Sequence, residues 1–318
     1  MVGCGGIGTF AGAVVSHLPG AEVFFCARGP IEEIVVKTPS DEFAGQGEIL
    51  TRPDQGVEVD LVILATKAQD TASAGPWLAA LCGLRTPVLV LQNGVEHVER
   101  VQPLVPGRPI IPAIVWFGAQ RTSPGHVQLT LAGDVTVPAT KTGCRVAQLL
   151  DSPRLQFRAS PAFQLELWTK FVHNVASNSL TTILDVPVNR LPFIPEARVL
   201  MELLIEECRA VARAMGTDLP DGLATAVAER FASFDDGVLS STQVDRGAGR
   251  PMEYDAIVGA VVRLGARLGI RTDTARVLLL LLTAISQGME QTCAVPDSEF
   301  SLAATRRAGA RQSPSSPI

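Results

Sequence analysis

Met1-Val-Gly-Cys-Gly-Gly-Ile-Gly8 is the stretch that decides the fold of this 318-residue chain. Gly3, Gly5 and Gly8 stand in the G-x-G-x-x-G spacing of a strand-to-helix turn. In such a turn the first glycine permits the tight bend and the second lets a pyrophosphate approach the backbone. The third lets the helix pack on the strand, with its positive N-terminal end toward the phosphates. Glycine-rich turns are common, so the motif needs its surroundings. Thr9 to His17 is compatible with a helix, and Glu22-Val-Phe-Phe-Cys-Ala27 reads as a second strand ending at Arg28. A dinucleotide fold reads the cofactor ribose at about that distance past the loop, with a carboxylate for NAD or a nearby Arg for NADP. Arg28-Gly29 therefore points to NADP(H), and Gly3, Cys4, Gly5, Gly6, Ile7 and Gly8 form the expected cofactor loop.

The start is unusual in one respect. A central parallel strand has roughly five or six residues, yet only Met1 and Val2 precede Gly3. A missing central strand leaves neighbouring backbone groups unpaired. The expectation is a misplaced or cropped start or, if the short strand is native, weaker cofactor binding and lower stability.

Composition narrows the class. A hydrophobic fraction of 47% suffices for substantial cores, and the length exceeds what one core usually serves. The net charge of −5 gives no overall attraction to nucleic acid or to an anionic membrane. The six cysteines are scattered without C-x-x-C or Cys/His ligand spacing, which argues for free thiols in a reducing, cytoplasmic setting and against a structural metal. No charged-then-apolar leader precedes the glycine motif. The apolar run Val277 to Leu282 is well under the roughly 20 residues of a membrane span.

Two halves follow from periodicity. Val59–Ala65, Pro87–Gln92 and Pro109–Phe117 read as strands alternating with helix-compatible stretches, followed by a strand pair around Val127–Leu131 and Val135–Val137. From Phe163 onward helical periodicity takes over, over Val199–Met215, Asp255–Leu268 and Thr274–Glu290, with a proline-rich break at Val186–Pro195. The fold class is therefore α/β: an N-terminal Rossmann-type dinucleotide-binding domain over 1–162 and a C-terminal all-helical domain over 163–307. The tail 308–318 has little to bury and is expected to be disordered.

Candidate chemistry gathers in four places. Lys170, Asn174 and Asn178 are four residues apart. Each step advances only about 40° around a helix, so an ammonium and two carboxamides share one face, suited to hold and protonate a small anionic carbonyl compound. Lys67 and Asn93 lie in turns after successive predicted strands, where open α/β sheets bind ligands. Glu253, just after Pro251 at an expected helix start, either complements the helix dipole or reaches Lys170. Ser241 lies in the expected loop ahead of it.

Together these segments resemble the ketopantoate reductase (2-dehydropantoate 2-reductase) family. The resemblance rests on Gly-Cys-Gly-Gly-Ile-Gly, Ala65-Thr-Lys-Ala-Gln69, Leu91-Gln-Asn-Gly-Val95 and Pro124-Gly-His-Val127, then Lys170-x-x-x-Asn-x-x-x-Asn178 and Gly249-Arg-Pro-x-Glu-x-Asp255. It implies NADPH/NADP+ as cofactor and a 2-oxo acid, 2-dehydropantoate, as substrate, bound between a Rossmann and a helical domain. It implies Lys170 as general acid and Glu253 as the carboxylate beside it, at the cofactor as well. Asn174, Asn178, Ser241 and Asn93 match substrate positions, Lys67 and again Asn93 residues near the reacting end of the cofactor, and Arg28 the 2′-phosphate contact. A homodimer through the helical domain is a further family expectation. Two departures stand out: Asp185-Val-Pro-Val-Asn-Arg190 replaces a turn that more often contains glycine, and Thr242 stands where Met is common. The alternatives are a reductase of another branched 2-oxo acid or related carbonyl, and a non-catalytic NADP(H)-binding sensor or scaffold.

Overall fold

The computed structural model describes residues 1–294, with side chains through 290. The expected tail at 308–318 lies outside the described residues. Every strand among the described residues precedes residue 161, and every element from Phe163 onward is helical.

The main sheet is parallel. Its strands are β1 (Phe24–Cys26), β4 (Glu48–Leu50), β5 (Val62–Leu64), β6 (Val88–Val90) and β7 (Ile110–Pro112). Met1 and Val2 occupy its centre, because Val2 bridges Cys26 on one side and Leu64 on the other, both in parallel register. Cys26 N–H donates to Met1 O at 2.8 Å, Val2 N–H to Ile63 O at 2.8 Å and Ala65 N–H to Val2 O at 2.8 Å. Two residues thus satisfy the backbone groups that a missing strand would have orphaned. The spatial order is β4, β1, Val2, β5, β6, β7, the 3-2-1-4-5-6 arrangement of a doubly wound dinucleotide fold. Helix α1 (Gly6–Val15) follows the glycine loop and is buried along almost its whole length.

Two smaller sheets depart from the simple expectation. The hairpin β2 (Ile34–Lys37) and β3 (Glu42–Gly45) joins β10 (His126–Leu131) and β9 (Gly118–Ser123). A third sheet holds β12 (Phe157–Ser160), β11 (Val135–Pro138) and β8 (Ile114–Val115). The segments around Val127 and Val135 are both strands, but they belong to different sheets and do not pair. The expected strand Pro109–Phe117 also divides. Ala113 N–H makes the last bond to β6, at 3.1 Å to Val90 O, and from Ile114 the chain pairs with β11 in the other sheet. Helices α2 (Gly75–Leu81), α3 (His97–Val101) and α4 (Lys141–Leu150) complete this half.

The helical half is organised around α5 (Phe163–Leu184). Phe171, Val172, Val175, Ala176 and Leu180 of α5 are buried against α6 (Pro195–Ala214), α9 (Val258–Leu268) and α10 (Asp273–Ala294). A 3-10 turn at Val188–Phe193 fills the proline-rich break, and α7 (Leu223–Ala232) and α8 (Ser241–Gly247) are additional short helices. Helix α5 ends at Asp185 in the left-handed region (φ 56°), where glycine is the unstrained choice. No helix among the described residues is long and apolar enough to cross a membrane.

Candidate active site

The glycine loop has the geometry that its spacing requires. Gly3 has φ +101°, and a Cβ at Gly8 would stand 2.0 Å from the Gly3 carbonyl oxygen, so helix and strand approach too closely for a side chain. At Gly5 the opposite holds: a Cβ would meet nothing within 4 Å, leaving open space above the backbone. Gly5 caps α1 without any side-chain hydrogen bond, and the first turn of α1 contains no acidic residue. Free N–H groups, a positive helix end and open space form a cradle that fits a dinucleotide pyrophosphate. Cys4 is turned inward, its thiol donating to Cys26 O at 3.5 Å, and burial pushes its pKa up to about 12. Only its backbone faces the loop function. Arg28 follows β1 with 87% of its side chain exposed, and its ion pair with Asp70, the one it makes among the described residues, is long at 3.7 Å.

The turns after β5 and β6 are tied together by Gln92. Its amide donates to Thr66 Oγ1 at 2.9 Å and to Thr71 Oγ1 at 3.0 Å. His97, buried beneath this turn, donates from Nε2 to Gln92 O at 2.8 Å. Burial pulls the imidazole down to about 4, so it is neutral at pH 7 and acts as a strut.

Glu253 is the hub across the cleft. Its Oε1 accepts from Ala68 N–H at 3.0 Å, and its Oε2 accepts from Lys67 Nζ at 2.9 Å and from Asn93 Nδ2 at 3.4 Å. Lys67 also donates to Asp245 Oδ2 at 2.6 Å, and Asp245 accepts from Arg250 Nε at 3.0 Å. Asp245 and Glu253 are each 5% exposed. Burial alone would lower the Lys67 pKa, but Glu253 and Asp245 together outweigh it and hold the ammonium above its ordinary value. Glu253 thus bonds Lys67, with no hydrogen bond to Lys170, and acts on Lys170 only through space. It also does not start a helix: Glu253 lies in a turn, and α9 begins at Val258. Ser241 is the first residue of α8, with Ser240 capping that helix through Gln243 N–H.

Lys170, Asn174 and Asn93 line one narrow cleft with Ile114, Leu167 and Phe171 between the two halves. Lys170 is half-buried, its Nζ donates to Val115 O, and the Trp116 ring centroid lies 5.6 Å away. Desolvation lowers the Lys170 pKa to about 8, with the Glu253 charge opposing the shift. Deeper along the same helix, Asn178 Oδ1 accepts from Ser241 Oγ and from Thr242 N–H, both at 3.4 Å. The structure thus joins Lys67, Asn93 and Glu253 in one network, Asn178 and Ser241 in another, and sets Lys170 and Asn174 on the wall between. Asp245 and Trp116 carry no signal in the sequence, since each acquires its neighbours only on folding.

A pyrophosphate cradle at the N-terminus of α1, together with a desolvated ammonium on the wall of the cleft between the two halves, is what a dinucleotide-dependent oxidoreductase requires. The family models agree in detail. Residues 1–142 match ketopantoate reductase PanE/ApbA and residues 162–286 match its C-terminal counterpart. The chain belongs to the ketopantoate reductase family. It is 33% identical over 284 residues to the 2-dehydropantoate 2-reductase of Caulobacter vibrioides, covering 89% of this chain and 97% of that one. It is likewise 33% identical over 290 residues to the enzyme of that name from Mycobacterium tuberculosis, covering 91% and 97%. Among solved structures, a PanE/ApbA family ketopantoate reductase from Ralstonia eutropha superposes with a TM-score of 0.83 at 30% identity, covering 91% and 98%. The fold is shared with a D-mandelate dehydrogenase solved with NADH and anilino(oxo)acetate, at a TM-score of 0.81 and 22% identity, covering 91% and 98%.

Proposed function

We propose that this chain reduces 2-dehydropantoate to pantoate with NADPH, on the route to pantothenate and coenzyme A, with Lys170 as proton donor. The observation that carries the reading is Lys170 itself: an ammonium on the cleft wall whose pKa burial lowers to about 8. In this reading residues 1–162 bind the cofactor and 163–307 supply the catalytic and substrate groups. Bound NADPH supplies the hydride. The chain must then meet the negative charge that develops on the carbonyl oxygen, and a fixed donor does this best in a dry site. An ordinary lysine, with a pKa near about 10.4, holds its proton too tightly near neutrality. Desolvation brings Lys170 into the range where an acid is both protonated and able to give its proton up.

The other residues have supporting tasks. Gly3, Gly5 and Gly8 admit the pyrophosphate, and Arg28, exposed and weakly paired, meets the 2′-phosphate. Lys67 and Asn93 stand at the reacting end of the cofactor, held there by Glu253. Asn174, Asn178 and Ser241 receive the polar groups of the substrate. A silent NADP(H) sensor needs the glycine loop and Arg28 but has no use for a desolvated ammonium. We further propose a homodimer through the helical half.

One observation favours a second reading. Thr242 departs from the family pattern in its side chain, which is buried with its hydroxyl unpartnered among the described residues, while its backbone N–H donates to the substrate-side Asn178 Oδ1 at 3.4 Å. A reductase of another branched 2-oxo acid follows if the shorter, polar side chain beside that amide reshapes the pocket. NADPH oxidation followed by absorbance, with ketopantoate against a panel of 2-oxo acids and NADH as control, separates the two. Saturable turnover of ketopantoate with strong NADPH preference supports the first reading. Turnover of a different acid alone keeps the mechanism and replaces the substrate. Silence across the panel with NADPH still bound returns the sensor.

A further inference from the structure

The Lys170 ammonium has a neighbour that this mechanism does not use. Trp116, one residue beyond β8, presents its ring 5.6 Å from Lys170 Nζ, and the ammonium donates to the carbonyl of the preceding residue, Val115. The indole is held in place at its other side. Its Nε1 donates to Thr136 Oγ1 at 3.1 Å, and Thr136, on β11, is wholly buried. Trp116 also packs against Ile114, Phe163 and Leu167, the last two on the same helix as Lys170. The ring is therefore fixed relative to the helix that carries Lys170, across the two halves of the molecule.

We propose that Trp116 is the positioning residue for Lys170: its anchored ring face keeps the ammonium charged and in place while the cleft excludes water. The proposal rests on the reading of Lys170 as proton donor. Desolvation favours the neutral amine, whereas the negative face of an indole favours the cation. Few other groups do so here. Glu253 attracts the ammonium through space, and His97 beneath the Gln92–Asn93 turn is neutral at pH 7. Glu166, one turn earlier on α5, is engaged by Arg158 and Ser160. Asn93 and Asn174 are uncharged. To act on a substrate, Lys170 must leave the Val115 carbonyl. A carbonyl binds in one direction, but a ring face attracts a cation across its whole breadth. The ammonium can pivot over the indole from the carbonyl to a substrate oxygen without losing its stabilisation.

The test measures the Lys170 proton affinity directly. Trace acetylation by acetic anhydride across a pH series, read at each lysine by mass spectrometry, gives the midpoint at which Lys170 becomes nucleophilic. The exposed Lys37 and Lys141 serve as internal references. Removing a cation–π contact in Trp116→Leu should lower the Lys170 midpoint by about half to one and a half pH units, and Trp116→Phe should lower it less. The alkaline limb of turnover should move down with it. Equal midpoints in the parent and both variants overturn the proposal. Trp116→Phe keeps an aromatic ring in the packing, so the comparison survives if the leucine variant fails to fold. Failure of the donor reading is recognised separately: it appears as normal turnover in Lys170→Ala, whatever the midpoints do.

Discussion

Lys67 Nζ lies 2.9 Å from Glu253 Oε2, so a cation from the Rossmann half and an anion from the helical half meet across the cleft. Asp245 takes the same ammonium at 2.6 Å. Two buried carboxylates thus depend on one lysine and on Arg250 for their compensation. Breaking such a cluster by removing a cation strands charge in a poorly solvated place.

Lys67→Met should therefore destabilise the protein by roughly 1–3 kcal/mol, discounted because the Lys67 side chain is 39% exposed. Because the Lys67 pKa is raised in the folded state, its contribution is fully present below the ordinary lysine value of about 10.4 and is lost as pH rises through the folded value. Urea unfolding of the variant at pH 7 and at successively higher pH checks both the size and the sign. An unchanged midpoint at pH 7 contradicts the clasp.

Lys170 has the opposite linkage. Its folded pKa lies near 8, below the unfolded value, so keeping it charged at pH 7 opposes folding. Lys170→Met should stabilise the protein at pH 7 by roughly 1–3 kcal/mol, with the gain fading as pH climbs from about 8 toward about 10.4. Thermal unfolding across that range reads the effect. A variant less stable than the parent at pH 7 shows that lost packing outweighs desolvation.

The same value sets the activity profile. Reduction needs the ammonium form, so kcat/KM should fall as pH rises past about 8. A profile flat to pH 10 removes Lys170 from the role of acid.

Arg28→Ala should weaken NADPH by roughly 10- to 100-fold, the range of a charge-assisted hydrogen bond, and leave NADH almost untouched. Fluorescence titration with both cofactors decides it, and equal losses for the two would place Arg28 away from the 2′-phosphate.

Ser240 caps α8, accepting from Gln243 N–H at 3.3 Å while sharing a hydrogen bond with Thr181 Oγ1 at 2.7 Å. Ser240→Ala should cost about 1 kcal/mol of stability. It should raise KM more than it lowers kcat, because α8 carries Ser241 and Asp245. An effect on kcat alone argues against substrate binding by this helix.

The parts of the site that sequence made legible are those governed by local geometry. The glycine spacing located the tight strand-to-helix turn ahead of α1, and the four-residue steps from Lys170 to Asn178 placed three polar groups along one helix. The brief first strand was legible as an anomaly, but its remedy was not: Val2 is completed by Cys26 and Leu64, whose partnership depends on the sheet order. Asp245 lies 178 residues from Lys67, and nothing in its surroundings marks it as that lysine's partner. The misreading of the Glu253 turn as a helix start has a similar origin. Pro251 and the periodicity that follows fit a helix from there, yet Glu253 is drawn across the cleft by Lys67 and Ala68, and regular helix begins only at Val258.

The most direct test of the account is hydride transfer in Lys170→Ala, measured in a single turnover with NADPH and ketopantoate, beside the NADPH dissociation constant of the same variant. Loss of a donor to the developing oxyanion predicts a fall of roughly 100- to 1,000-fold in the transfer rate, with NADPH affinity nearly intact. A near-normal transfer rate would contradict the central claim.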